Sequence, residues 1–246
     1  MKKPPLGVPF RRYAVYYIPP KGALGDFGST WLGWDSTTGK RTPPPVIKGL
    51  PCAVACLTQE PHRYGFHATL RPPFALAAGQ SFDALRAAFH SLCAQCAPAR
   101  VGRLCLAPMG ARLVLRPVEE VTTSAQIKSL AATAVAHLNG FRPPAQHPWA
   151  RHGEVARSAA QRRNLRLWGF PWVMEDFRFH ITLTGRLCRS ERRVVAQALM
   201  PVLAPILLPA LRIESLSLVG EAEDGMFHQL CRAPLRGPAR CLDAGA

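Results

Sequence analysis

Two short runs place an imidazole two residues before a hydroxyl: His67-Ala68-Thr69-Leu70 and His180-Ile181-Thr182-Leu183. Histidine's ordinary pKa lies nearest neutrality, so it takes and gives protons there. A threonine hydroxyl donates a hydrogen bond to an oxyanion. Hydrolysing a phosphodiester needs these acts together. A neutral imidazole takes the proton of the attacking water, an imidazolium protonates the departing oxygen, and donors hold the non-bridging oxygens. The two proton carriers act on opposite sides of phosphorus, so they must come from separate segments. A lone copy of the pattern reads as an ordinary strand pair. Two copies in matching settings point to metal-free acid–base chemistry on a phosphate.

The flanks say how these residues are carried. Tyr64-Gly65-Phe66 precedes His67 and Phe177-Arg178-Phe179 precedes His180. Apolar, aromatic and β-branched residues alternating with polar ones read as β-strands. Strand residues i and i+2 share a face. His67 and Thr69 therefore share one face and Phe66, Ala68 and Leu70 the other. Arg178, His180, Thr182 and Thr184 share a face, with Phe177, Phe179, Ile181 and Leu183 turned to a core. Arg178 and, if its strand continues regularly, Arg71 add charge for a phosphate. Tyr64 shares the face of His67. In the first strand Tyr17 or Tyr16 contacts substrate, since alternation turns one of the two inward, and Tyr17 is taken as the contact.

The wider phrases, Arg63 to Phe74 around the first motif and Glu175 to Leu187 around the second, resemble the 2H phosphoesterase superfamily, named for its two His-x-Thr/Ser motifs. With Arg12-Tyr13-Ala14-Val15-Tyr16-Tyr17 and Trp168-Gly169-Phe170-Pro171-Trp172, the chain is similar to the branch associated with bacterial phosphonate-utilisation operons. Arg71 stands where that branch commonly has Lys, which keeps charge but changes its geometry. The resemblance covers residues 11–235, read as a single bilobal domain with tails at 1–10 and 236–246. It implies an α+β, pseudo-twofold fold with two antiparallel sheets backed by helices around a central cleft. It also implies His67 and His180 as the acid–base pair, Thr69 and Thr182 as phosphate holders, and no cofactor. The roles of the two histidines stay open, with a lean to His180 as base and His67 as acid.

Bulk properties narrow the partners. The chain has 246 residues, 48% hydrophobic, with a net charge of +16. That charge attracts phosphates and nucleic acids, although arginines such as Arg162-Arg163 and Arg192-Arg193 also fit helix surfaces. No apolar run is long enough to span a membrane, and Met1-Lys2-Lys3-Pro4-Pro5 has no apolar stretch behind it, so a cytoplasmic location is expected. The eight cysteines include Cys93-x-x-Cys96 but lack a second pair with zinc spacing, and read as reduced, mostly buried thiols. No His-Glu-x-x-His, no Gly-x-x-x-x-Gly-Lys loop and no Gly-x-Ser-x-Gly elbow appears.

Periodicity and breakers place strands at 12–18, 102–106, 112–116, 211–219 and 226–232, and helices at 52–59, 82–97, 123–138, 153–167 and 190–202. Pro72-Pro73 closes the first motif strand. Residues 21–51, rich in Gly and Pro, read as a long loop, and 141–150 as a connection. The function expected is a metal-independent phosphodiesterase that opens a small cyclic phosphate, a ribose cyclic phosphate of phosphonate breakdown being one candidate. An RNA 2′,3′-cyclic-end phosphodiesterase or 2′-5′ RNA ligase-like enzyme is the near alternative. A non-catalytic nucleotide- or RNA-binding protein is the third. No membrane partner is expected, and the oligomeric state is open.

Overall fold

A computed structural model describes residues 10–118, 125–144, 158–207 and 209–238. Its strands are β1 (Arg12–Tyr17), β2 (Trp34–Asp35), β3 (Lys40–Arg41), β4 (Ala68–Phe74), β5 (Ala99–Gly102), β6 (Leu104–Met109), β7 (Arg112–Pro117), β8 (Ile181–Thr182), β9 (Leu211–Ile213), β10 (Ser215–Glu221) and β11 (Phe227–Pro234). Its helices are α1 (Ala23–Leu32), α2 (Val54–Thr58), α3 (Phe82–Gln95), α4 (Ala125–His137), α5 (Ala159–Trp168) and α6 (Arg189–Leu203). The architecture is α+β with antiparallel strands backed by helices.

Seven strands run in the order β11-β10-β1-β4-β8-β7-β6, and β2–β3 and β5–β9 form separate ribbons. The two sheets expected from sequence are thus joined edge to edge. Four strands on one side meet three on the other between β4 and β8, where Ala68 pairs with Ile181. One face of this sheet is covered by helices. Val15, Leu70, Leu115, Ile181 and Leu218 meet Phe89 of α3, Leu130 of α4 and Leu199 of α6 there. The other face carries a smaller apolar cluster of Ala14, Tyr16, Ile18, Val219 and Phe227, with Tyr64 against it. The period of two along each strand sorts the side chains between these faces.

The expected loop at 21–51 contains α1 and the β2–β3 hairpin. Leu24, Phe27, Trp31 and Leu32 recur at helical spacing and are buried. The glycines that suggested a loop have other uses. Gly33 ends α1 with φ 69°, a left-handed cap that disfavours a Cβ. At Gly28 a Cβ would lie 2.0 Å from Phe66 Cγ, so α1 rests directly on the residue before His67. Trp31 Nε1 donates to the Leu183 carbonyl at 2.8 Å and Trp34 Nε1 to the Phe227 carbonyl at 2.9 Å. This segment therefore braces both motif neighbourhoods.

Other boundaries also differ. β4 runs through Pro72 and Pro73 to Phe74. The second motif has ladder pairing only at Ile181–Thr182, although Phe177 to Leu183 keep the alternating burial of a strand. Two strands, β5 and β6, stand where one was expected, because β5 leaves the main sheet to pair with β9. Helix α6 begins at a Cys188 cap closed by Glu191. The expected helix starts at 123 and 153, and most of the connection at 141–150, lie outside the described residues. Against the expected burial, Cys52, Cys56 and Cys188 are exposed, and of the described cysteines only Cys93, on α3, is buried, where desolvation pushes its thiol up to about 12. Among the described residues no helix is long and apolar enough to cross a membrane.

The contact at Gly28 gives a direct test. Gly28→Ala should lower stability by about 1–3 kcal/mol, the usual cost of overpacking a filled core. Gly140→Ala, where a Cβ meets nothing within 4 Å, should stay within about 0.5 kcal/mol of wild type. Urea unfolding of the two variants checks the contrast.

Candidate active site

Ala68 and Ile181 are 1% and 0% exposed and both face the helix-covered core. Their neighbours must point the other way. Extending the antiparallel register one residue to each side sets His67 across from Thr182, and Thr69 across from His180. Directly opposed residues have Cβ atoms roughly 5 Å apart. Each imidazole thus sits beside one threonine of its own segment and one of the other.

The two rings are held alike. His67 Nδ1–H donates to the Gly65 carbonyl at 2.9 Å, and His180 Nδ1–H donates to the Arg178 carbonyl at 2.8 Å. In both cases the acceptor lies two residues back. This assignment leaves Nε2 as the unprotonated nitrogen of each neutral ring. His67 Nε2 accepts from Thr69 Oγ1 at 3.0 Å.

Burial lowers His67 to about 4, with His180 adding to the shift and the Gly65 carbonyl opposing it. Burial also lowers His180, with Arg112 adding and the Arg178 carbonyl opposing. Both rings are therefore neutral at pH 7. Between pH 6.5 and about 4 the unfolded chain binds more protons at His67 than the folded one, so this residue's contribution to stability falls as pH falls.

Tyr16, not Tyr17, is the aromatic residue of β1 on this face. Tyr16 pairs with Thr69 and stacks on His67, with ring centroids 3.7 Å apart and 22° between planes. Desolvation raises its hydroxyl well above the usual 10, so it remains a neutral phenol. Tyr17 pairs with Ala68, packs in the helix-covered core and lies 6.4 Å from the Phe179 ring. Tyr64 sits 6.1 Å from His67 and 5.1 Å from Phe227, ring to ring. The Arg63 guanidinium lies 4.6 Å over its ring.

The expected cations are placed differently. Thr69 pairs with Tyr16 but Arg71 pairs with Val15, leaving Leu70 as an extra residue in β4. Such a bulge breaks strict alternation. Arg71 is consequently 1% exposed and opposite a core residue, away from the face of His67. Arg178 is exposed, and its Nη1 donates to the carbonyls of Glu175 and Phe177 at 3.0 and 2.9 Å. It folds back along its own segment. Thr184 leaves the shared face as well. Its hydroxyl accepts from the Leu113 N–H at 3.0 Å and donates to the Gly185 carbonyl at 2.9 Å.

Strand β7 supplies cations that sequence reasoning missed. Val114 pairs with Thr182 and Leu115 with Ile181, so the next position sets Arg116 beside His180. Leu113 and Leu115 fill the core, which turns Arg112, Val114 and Arg116 to the histidine side. Arg112 is paired with Glu60 at 2.5 Å. The alternation Arg112-Leu113-Val114-Leu115-Arg116 was visible in sequence, but the adjacency of β7 to β8 was not. Among the described residues no group of three or more His, Cys, Asp or Glu could hold a metal. The arrangement offers two unprotonated ring nitrogens, two hydroxyl donors and a cationic flank. That set can exchange protons with, and hold, a phosphate ester.

Comparisons with known proteins place the chain. A protein from Laribacter hongkongensis (strain HLHK9), named ribose 1,5-bisphosphate phosphokinase PhnN, is 36% identical over 225 residues, covering 90% of this chain and 51% of that protein. A protein of the same name from Janthinobacterium sp. (strain Marseille) is 29% identical over 237 residues, covering 92% of this chain and 51% of that protein. The chain spans about half the length of these curated relatives. Among solved structures, TT0787 of Thermus thermophilus aligns at TM-score 0.44 and 17% identity over 92% of this chain and 98% of that one. Kluyveromyces marxianus Usb1 aligns at TM-score 0.37 and 11% identity over 91% of this chain and 100% of that one. The family model described as "Protein of unknown function (DUF1045)" matches residues 69–228, more than half of the sequence, and the chain belongs to that family.

Proposed function

We propose that this protein is a 2H-type phosphoesterase, a metal-independent phosphodiesterase that hydrolyses a small cyclic phosphate. The observation that carries this reading is the pairing of Ala68 with Ile181, which, continued one residue each way, sets His67 across from Thr182 and Thr69 across from His180, with both Nδ1–H groups tied to carbonyls. A phosphate between the rings meets an Nε2 from either side and hydroxyl donors for its non-bridging oxygens. Water attacks phosphorus as one Nε2 takes its proton. The new P–O bond forms while the ring P–O bond breaks, and the second imidazolium gives its proton to the departing sugar oxygen. The two rings end with exchanged protonation states and reset through solvent.

The ring held to about 4 is neutral throughout the working range, which suits His67 as base and leaves His180 as acid. This reverses the lean taken from sequence. A bound phosphate anion favours the imidazolium form of the acid. Arg112 and Arg116 add positive charge on the leaving-group side.

The name these relatives carry describes phosphoryl transfer to a sugar phosphate, a different kind of reaction. This sequence has no Gly-x-x-x-x-Gly-Lys-Ser/Thr loop to cradle a nucleotide's phosphates. This chain spans about half of those relatives, and the named kinase activity is not carried over to it. What carries over is a substrate theme, a ribose phosphate, which matches a ribose cyclic phosphate as the diester opened here.

Phosphorus NMR in EDTA tests the reading with ribose 1,2-cyclic phosphate, 2′,3′-cyclic nucleotides and a short RNA bearing a cyclic end. A small cyclic phosphate should open with wild type and stay closed with the His67→Ala/His180→Ala double variant. RNA-end opening that far exceeds this, with steep salt dependence, would move the assignment to RNA. Binding without turnover would make the protein a non-catalytic receptor.

The roles of the rings are separable. Each single His→Ala change should cut kcat by about 10²–10⁴ on a sugar leaving group. A p-nitrophenyl phosphodiester, whose leaving group needs no proton, should restore His180→Ala to within about tenfold of wild type while His67→Ala stays slow. Rescue of His67→Ala instead would exchange the two roles.

The pH dependence follows from the same shifts. Activity rises with pH as the base loses its proton near 4 and falls as the acid loses its own below the usual 6.5. The kcat/KM profile should therefore be a bell lying wholly on the acid side of neutrality. A plateau extending to about pH 8 contradicts it.

A further inference from the structure

On the helix-covered face of the sheet, away from the histidines, Arg71 is 1% exposed yet has two N–H positions, Nε and Nη2, with no hydrogen-bond partner. Its remaining nitrogen, Nη1, donates to the Pro72 carbonyl at 3.4 Å, and its guanidinium lies 4.6 Å from the centre of the Phe74 ring. A buried guanidinium without an anionic partner is among the most costly things a fold can contain. Buried donors left unpaired in a native protein call for an explanation.

The neighbouring charge makes matters worse instead of better. Arg142 repels Arg71, and together with burial, the larger cause, it pushes the Arg71 guanidinium down to about 9. Arg142 is itself anchored, with Nη1 on the Pro143 carbonyl at 3.0 Å and Nη2 on the Leu167 carbonyl at 3.2 Å. Its Nε is likewise buried and unpartnered. Among the described residues neither arginine has a carboxylate partner. Both guanidinium groups are thus fixed by backbone carbonyls and keep N–H groups in reserve.

The identity of the free atoms specifies the ligand. Nε and Nη2 form one edge of a guanidinium, with two parallel N–H bonds spaced to meet two oxygens of a single oxyanion. A halide offers one centre and does not use that edge fully. Two guanidinium groups favour a dianion over a single carboxylate. We propose that Arg71 and Arg142 form a phosphate-type oxyanion site under the helical layer, distinct from the histidine face. The bulge at Leu70 builds it, because that extra residue turns Arg71 to the helix side. Arg142, only partly buried, gives the route from solvent. This site does not depend on the phosphoesterase reading, since it lies on the opposite face of β4.

Thermal unfolding with inorganic phosphate, against chloride at equal ionic strength, tests the site. Wild type and the His67→Ala/His180→Ala variant should both gain about 4 °C or more at saturating phosphate. Placed in the His67→Ala/His180→Ala background, Arg71→Met should lose that gain, and without phosphate should melt no lower than its parent, because a buried unpaired charge has been replaced by an apolar chain of similar length. Arg142→Met, at the more exposed position, should weaken phosphate at least tenfold and keeps the test open if Arg71→Met fails to fold. Ribose 5-phosphate run in parallel separates free phosphate from a sugar-borne phosphoryl group. A phosphate gain no larger than that of chloride, or one unchanged by either substitution, overturns the proposal.

Discussion

The pairing of Ala68 with Ile181 is the joint on which the molecule turns. Four strands lie on one side of it and three on the other. Because both residues are small or apolar and point into the helix-covered core, each of their neighbours is forced to the opposite face. A slip of either segment by one residue would send that segment's histidine and threonine into the core. The α3, α4 and α6 layer fixes the register by demanding apolar residues beneath it. α1, with Trp31 and Trp34, braces the joint from the flank through bonds to the Leu183 and Phe227 carbonyls.

The chemistry of the site follows from where that joint lies. Both rings keep part of their surface open to solvent, yet the protein packed around them is the leading cause of both lowered pKa values. The stacked Tyr16 ring closes one side of His67, while Arg112 and Arg116 of β7 add positive charge on the His180 side. The same partial burial that keeps the free rings neutral would strengthen their attraction to a bound phosphate anion. An apolar floor, two anchored rings and a cationic wall are therefore parts of one electrostatic arrangement.

Much of this was legible in sequence, for identifiable reasons. The doubled motif and its period of two placed His67, Thr69, His180 and Thr182 on strand faces. Helices α3 and α6 were also legible, each to within two residues of its observed ends. What failed was information that alternation alone does not carry. Tyr16 and Tyr17 were equivalent until the partners of β1 were known. The extra residue at Leu70 reversed the face of Arg71. The glycines around α1 hid it, although Leu24, Phe27 and Trp31 keep helical spacing. Arg112 and Arg116 could be assigned to one face, but only the strand order puts them beside His180. Long-range register is set by packing between distant segments, which a local pattern cannot encode.

The central claim is that both motifs serve one phosphate. Titrating ¹⁵N-histidine-labelled protein with vanadate, which adopts the five-coordinate geometry of the transition state, tests it most directly. The account predicts that a single vanadate on the histidine face moves the Nε2 signals of His67 and His180 together, with one half-saturation point. Movement of only one ring, or two separate half-saturation points, would contradict it.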